Sequence, residues 1–377
     1  MRTSPADSRR PPRSRARLTG AAGFRTGSCG WKTVLAGGKN LVEGEVWHGG
    51  DLATAKALFP EAPEPWIDLS TGINPIPYPV PALPLSLWQR LPGKADEAAL
   101  LAAARKAYRV PDAAGLVAAP GTQILIELLP RLAEGPVAVL GPTYAEHALA
   151  WRKAGAPVRE IAGLEEIGDA KTVVLVNPNN PDGLLIERVR LATLAHELAA
   201  KGGLLVIDEA FIDFTPQASL IPELPPATLV LRSFGKTYGL AGLRLGFAIG
   251  ELRLTEALRA ALGPWAVAGP ALHVGALALA DSGWLAETAQ ARTRDAARLD
   301  ALLVPHGRIV GGTALYRLLA TPAAPALFAH LGCNGLYVRR FQNDASWLRF
   351  GLPGDESAWQ RLAAALASFV PVPGGVA

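Results

Sequence analysis

Cysteine is nearly missing from this chain of 377 residues, with Cys29 and Cys333 the only two. Two thiols cannot build a disulfide framework or a cysteine-based metal site, and with one of them in a basic N-terminal stretch, reduced thiols and no metal are expected. Long apolar runs are also scarce. The longest uncharged window, residues 260–280, is rich in Ala and Gly and contains Pro264, Pro270 and His273. A buried loop and helix is expected there rather than a membrane span. No apolar segment with a cleavage site follows the Arg- and Pro-rich start, which argues against a secretory signal. The Arg9-Arg10 pair fails as a twin-arginine signal for the same reason, so a cytoplasmic location is expected. Internal repeats are absent.

Acidic residues are missing from one end only. The formal net charge of +4 misleads, because residues 1–40 hold nine Lys and Arg against the single acid Asp7. The remainder is mildly acidic, which removes any general case for a nucleic-acid or membrane partner. Residues 1–40 also lack periodicity and are dominated by Pro, Arg, Ser and Gly. They are expected to be a disordered basic tail whose removal leaves activity intact. What remains is half apolar and only 19% charged over the whole chain, enough for a large core and two domains.

Between residues 96 and 231 apolar runs of strand length alternate with helical spacing. Leu116–Pro120, Val137–Leu140, Val173–Val176, Leu204–Ile207 and Thr228–Leu231 read as strands, and helices are expected between them. This alternation predicts an α/β fold with a mainly parallel sheet covered by helices on both faces. Ligands of such sheets sit beyond the carboxyl ends of the strands. Pro142-Thr-Tyr144, Asn177-Pro-Asn-Asn-Pro-Asp-Gly183, Asp208-Glu-Ala-Phe211 and Ser233-Phe-Gly-Lys236 all fall at that rim. After Gly246 the pattern turns mixed, and a smaller α+β unit is expected.

The stretch from Ser233 to Gly246 is the most informative. Lys236 and Arg244 share a Gly-rich loop leaving a strand, where they repel unless an anion lies between them. A phosphorylated aldehyde would account for the set, with Lys236 as Schiff-base amine and Ser233 and Arg244 on the phosphate. A strand, a Gly turn and a helix N-terminus at Gly121, Thr122 and Gln123 would make a second anion cup from free N–H groups and the helix dipole. Blander readings stand beside these: Lys236 as a surface lysine, Asp208 as a helix cap, Asn180 as a turn residue and His48 as a structural loop residue.

Taken together, these loops resemble the pyridoxal-phosphate enzymes of the aspartate-aminotransferase fold (fold type I). The match is nearest to the branch holding histidinol-phosphate aminotransferases and threonine-phosphate decarboxylases. It runs from about Trp47 to Leu366, because Asn180, Asp208, Lys236 and Arg244 occur in the family's order and context. The resemblance implies a large domain with a mainly parallel seven-stranded sheet, a smaller α+β domain, and a homodimer. Its boundaries would be an N-terminal arm and substrate-binding segment at 44–80, a large cofactor domain at 81–262 and a small domain at 263–377.

By resemblance, Lys236 carries pyridoxal 5′-phosphate, Asp208 pairs with the pyridine nitrogen and Asn180 donates to the 3′ oxygen. Gly121, Thr122, Gln123, Ser233 and Arg244 would hold the phosphate, and Arg349 looks like the family's substrate-anion arginine. Two departures are visible. Phe211 stands where many relatives carry Tyr, removing a hydrogen bond to the 3′ oxygen. In Pro142-Thr-Tyr-Ala-Glu-His147, the position expected to stack on the ring is His147, as a neutral imidazole, with Tyr144 in reserve.

Related sites run transamination, decarboxylation and elimination, and the choice depends on which Cα bond stands perpendicular to the cofactor plane. His48-Gly-Gly-Asp51 with Asp68-Leu-Ser-Thr-Gly-Ile-Asn-Pro75 looks like the opening of the decarboxylases. The implied reaction converts L-threonine O-3-phosphate to (R)-1-aminopropan-2-ol phosphate and CO₂, for cobalamin synthesis. His48, Gly72, Asn74, Arg339 and Arg349 are the expected substrate-binding residues, with Arg339 favoured over Arg340. Arginine suits two substrate anions through its bidentate fork. A histidinol-phosphate aminotransferase is the alternative, and a catalytically silent cofactor-binding protein the minor one.

Overall fold

The computed structural model describes residues 47–371. The expected basic tail at 1–40 and residues 44–46 of the expected arm lie outside the described residues, as does Cys29. Cys333 is disulfide-bonded, which corrects the expectation of reduced thiols. The scarcity of cysteine excludes a framework of bridges but not a single one.

The chain opens with α1 (Leu52–Leu58), β1 (Ile67–Leu69), α2 (Ser86–Gln89) and α3 (Lys94–Ala107). Alternating elements follow: β2 (Gly115–Ala119), α4 (Thr122–Leu128), β3 (Val137–Leu140), α5 (Glu146–Lys153), β4 (Val158–Ile161) and β5 (Thr172–Val176). Next come α6 (Arg188–Ala199), β6 (Leu204–Asp208), β7 (Thr228–Ser233), α7 (Phe234–Thr237), β8 (Gly246–Gly250) and α8 (Leu252–Leu262). The last part holds α9 (Gly269–Ala280), α10 (Ser282–Leu303), β9 (Arg308–Thr313) and β10 (Tyr316–Ala320). It closes with α11 (Ala324–Cys333), β11 (Leu336–Arg340), β12 (Trp347–Gly351) and α12 (Glu356–Ser368).

Seven strands form the large sheet in the order β2-β8-β7-β6-β5-β3-β4, with β8 antiparallel to both of its neighbours and the other pairs parallel. The expected mainly parallel seven-stranded sheet is therefore present. Every residue of β2, β5, β6 and β8 is buried. That two-sided burial is why β2, β5 and β6 read as unbroken apolar runs rather than as alternation. Helix α3 shows the opposite logic: Leu100 and Ala104 face the core, acids occupy its first turn, and Arg105 and Lys106 its last. These charges complement the helix dipole.

The smaller sheet has the order β1-β11-β12-β10-β9, with only the β1–β11 pair parallel. Its first strand comes from the N-terminal segment, and Ala55, Phe59 and Leu69 join a core with Leu299, Leu327, Leu336 and Phe350. Conversely, Ala271, Leu272 and Ala278 of α9 pack in the core of the large sheet beside Leu100 and Ala104. Residues 269–280, assigned to the small domain from the sequence, thus pack against the large one, and α10 begins the smaller layer. Among the described residues no helix is long and apolar enough to cross a membrane.

Candidate active site

The carboxyl ends of β5, β6 and β7 open into a cleft of about 560 Å³. Its lining includes His48, Gly121, Thr122, Gln123, Tyr144, Asn180, Asp208, Phe211, Ser233, Lys236, Arg244, Arg339, Arg340 and Arg349. Loops separated by hundreds of residues thus meet at one rim. Gly72, Asn74 and His147 of the expected set are not part of that lining.

Lys236 is carried by α7, a single helical turn directly after β7, where the sequence suggested a loop. Its amine lies 5.8 Å from the centroid of the Phe211 ring. Burial, then the positive field of Arg349, lowers its pKa from 10.5 to about 8, and Asp208 acts in the opposite sense. The lowered pKa leaves more of this amine neutral, and so nucleophilic, at a given pH than an ordinary lysine would be.

Asp208 ends β6, 4% exposed, and would be costly there without partners. One oxygen accepts from the Ala210 N–H at 3.0 Å and the other lies 3.0 Å from His147 Nε2. In the tautomer that carries its proton on Nε2, His147 donates to this carboxylate oxygen. His147 is fully buried and its Nδ1 has no partner among the described residues. It therefore braces Asp208 from behind, which corrects the expectation that it stacks over the cleft. Tyr144, the reserve candidate, lines the cleft instead. Helix α5 starts only at Glu146, so Tyr144 stays in the loop above the strand ends while His147 turns in toward the sheet. Burial raises the Tyr144 pKa to about 12, and it remains a hydroxyl donor, to Gln123 Oε1 at 3.1 Å.

The anion cup forms at Gly121, the residue before α4. Gly121 has φ 87°, and a Cβ there would lie 2.5 Å from the Arg244 guanidinium. A Cβ on Gly246 would meet the Thr122 nitrogen at 2.7 Å. Arg244 itself sits in the left-handed region at φ 52°, a conformation that turns the chain sharply back toward the cup. Glycines thus bring a guanidinium and backbone N–H groups to one point, and Ser233 completes the set at the end of β7. Backbone N–H groups at a helix N-terminus beside a guanidinium are the donor set that a phosphate requires.

Arg349 lies on β12, 6% exposed, and burial lowers its pKa to about 10. Its two terminal nitrogens donate to Asn180 Oδ1 and, at 2.8 Å, to the Ser70 carbonyl. With Oδ1 so occupied, the Asn180 amide is left to donate from Nδ2. The Nε atoms of Arg349 and Arg339 are buried without partners among the described residues. Arg340, by contrast, stacks on Phe328 at 4.0 Å and Trp47 at 4.7 Å. Arg339 lies over the Phe341 ring at 5.7 Å, and both arginines line the cleft.

The remaining expected residues take other places. His48 Nε2 is 2.9 Å from Glu146 Oε1, and Glu146 Oε2 accepts from Gln123 at 3.2 Å. Glu146 was not singled out in the sequence, although its position at the first turn of α5 beside the Pro-Thr-Tyr loop was a usable signal. Gly72 packs beneath the cleft, where a Cβ would meet the Phe211 and Tyr316 rings at 2.9 Å. Asn74 is 2% exposed, and its side chain is taken up by backbone groups and Arg292.

The chain is 46% identical over 328 residues to a threonine-phosphate decarboxylase of Pseudomonas aeruginosa, covering 85% of this chain and 97% of that protein. It is 41% identical over 327 residues to one from Sinorhizobium, with the same two shares covered. Among solved structures, a histidinol-phosphate aminotransferase from Clostridium acetobutylicum superimposes with a TM-score of 0.69 at 24% identity, over 79% of this chain and 97% of that one. The L-threonine-O-3-phosphate decarboxylase of Porphyromonas gingivalis gives 0.66 at 20%, over 86% and 97%, a likeness of fold. The profile of aminotransferase class I and II matches residues 94–366, and the chain belongs to that family.

Proposed function

We propose that this chain is a pyridoxal-phosphate-dependent decarboxylase of L-threonine O-3-phosphate. The observation that carries the reading is its 46% identity to a threonine-phosphate decarboxylase along 97% of that protein. The site supports it. The cup of Gly121, Thr122, Ser233 and Arg244 suits the cofactor phosphate, Asp208 the ring nitrogen, Asn180 the 3′ oxygen and Tyr144 the ring face. The unpartnered Nε atoms of Arg339 and Arg349 leave donors for the further anions of a phosphorylated amino acid. Bound pyridoxal phosphate supplies an electron sink for the pair left on Cα when CO₂ departs.

The protein's own groups do the rest. Asp208, fixed by His147 and the Ala210 N–H, holds a proton on the ring nitrogen. Arg339 and Arg349, with His48 at the mouth, grip the substrate's anions and set which Cα bond stands perpendicular to the ring. With the cofactor held in the cleft, Lys236 would be the group placed to return a proton to Cα. Its depressed pKa lets it carry and release that proton near neutral pH. The product would serve cobalamin synthesis, in the cytoplasm.

The chain is further proposed to work as a homodimer. Leu85, Trp88, Leu91, Trp265 and Leu277 are all at least 40% exposed and lie on or beside α2 and α9, which pack together; exposed apolar side chains of this kind suit a second copy.

The purified protein should release CO₂ from L-threonine phosphate with no need for 2-oxoglutarate. Glutamate formation from histidinol phosphate and 2-oxoglutarate, without CO₂ release, would select the aminotransferase instead. Neither reaction from protein loaded with the cofactor would leave the silent binder.

A further inference from the structure

A helix of one turn cannot satisfy its own last carbonyls. In α7 these belong to Lys236 and Thr237, and one residue meets both. The Asn74 N–H donates to the Lys236 carbonyl at 2.8 Å, and Asn74 Nδ2 donates to the Thr237 carbonyl at 2.9 Å. Asn74 Oδ1 accepts from the Ile76 N–H and from Arg292 Nη1, both at 3.1 Å. Arg292 belongs to α10, is 9% exposed, and holds Asp295 at 2.7 Å with its other terminal nitrogen. Four residues beyond Asn74, the Tyr78 N–H donates to the Tyr238 carbonyl at 2.9 Å. Trp284, also on α10, packs against both tyrosine rings, at 5.2 and 5.5 Å between centroids. Residues 74–78 are thus a strap laid along the lysine turn, and α10 lies over the strap.

We propose that Arg292 and Asn74 are positioning residues for Lys236. The guanidinium fixes the Asn74 carboxamide, the carboxamide and its own N–H fix two successive carbonyls of the turn, and the lysine amine is thereby held in place for its reaction. Neither residue touches the cleft. The assignment rests on the reading of Lys236 as the amine that takes the cofactor. It also gives Asn74, expected from the sequence to bind substrate, a place beneath the reacting group instead.

The test uses full-length apo-protein and two ligands. Pyridoxal phosphate has an aldehyde that condenses with the lysine amine, forming C=N and releasing one water. Pyridoxamine phosphate fills the same cup and has no aldehyde. In Arg292→Met, capture of pyridoxal phosphate followed by absorbance should slow by at least ~10-fold, since an ångström of misplacement can cost ~10²-fold. The pyridoxamine phosphate Kd, by calorimetry, should move by less than about twofold, because no bond to Lys236 is involved. Capture at the wild-type rate overturns the proposal, and so does equal weakening for both ligands. Arg292→Lys keeps a cation for Asp295 without the guanidinium fork and decides the question in the same way if the Met variant does not fold. Lys236→Ala separates the two readings. If it abolishes capture while the Arg292 variants capture normally, only the clamp fails. If it still gives the covalent chromophore, the lysine reading fails and the clamp with it.

Discussion

Lys236 shares its surroundings with Arg349, Arg244 and Arg339, all of which press its proton off, and with Asp208, which retains it. Capture of pyridoxal phosphate by the apo-protein should therefore rise with pH through about 8 and level off above it. In Arg349→Gln the strongest of those cations is gone, so the midpoint should move upward, toward 10.5. A midpoint that stays or falls would show that Arg349 does not act on the amine. The same shift has a stability side. The unfolded chain, whose lysine titrates near 10.5, binds the extra proton between about 8 and 10.5. Stability of the apo-protein should rise with pH across that window. At this scale the sequence was informative about residue identities and less so about directions. Lys236, Asp208, Asn180 and Arg244 were singled out from their neighbours in the chain and all line the cleft, whereas His147 does not and Tyr144 does. Only the start of α5 decides which of two aromatic rings three residues apart faces the sheet, and helix starts are weakly encoded.

The element that holds the anion cup depends on one glycine. Gly121→Ala would place a methyl 2.5 Å from the Arg244 guanidinium and force a positive φ on an L-residue. Such a change costs more than about 1 kcal/mol and should displace Arg244, weakening pyridoxal phosphate and pyridoxamine phosphate alike, by roughly tenfold or more for one charged hydrogen bond. Melting temperature and calorimetry together check this, and a variant with unchanged affinity for both ligands would disprove the role of the cup. Buried strands were legible because parallel, two-sided burial demands apolar runs. Strand β8 was not, since Gly246-Phe-Ala-Ile-Gly250 follows so many glycines that its ladder shows only when β2 and β7 stand on either side.

For the whole molecule, the layers interleave the chain. The N-terminal segment supplies β1 to the smaller sheet and then straps the lysine turn, while α9 returns to the large core. These are contacts between distant parts of the chain, which local patterning does not encode. The apolar face at α2 and α9 should be covered by a second copy, so sedimentation should report a dimer and Trp88→Asp should shift it toward monomer. A monomeric wild-type protein at micromolar concentration would refute the dimer.

The reversed direction of β8 reaches beyond topology. Its first residue, Gly246, stands opposite Ala119 at the end of β2 and opposite Ser233 at the end of β7. Gly121, Ser233 and Arg244 meet only when those three strands are in this register, and a slip of one residue would turn each side chain to the other face. Phosphate affinity is therefore a gauge of sheet assembly. On the proposed reading of the cup, a chain that has paired its strands wrongly would carry every residue of the site and still fail to bind, so the cofactor would select molecules whose central sheet is complete.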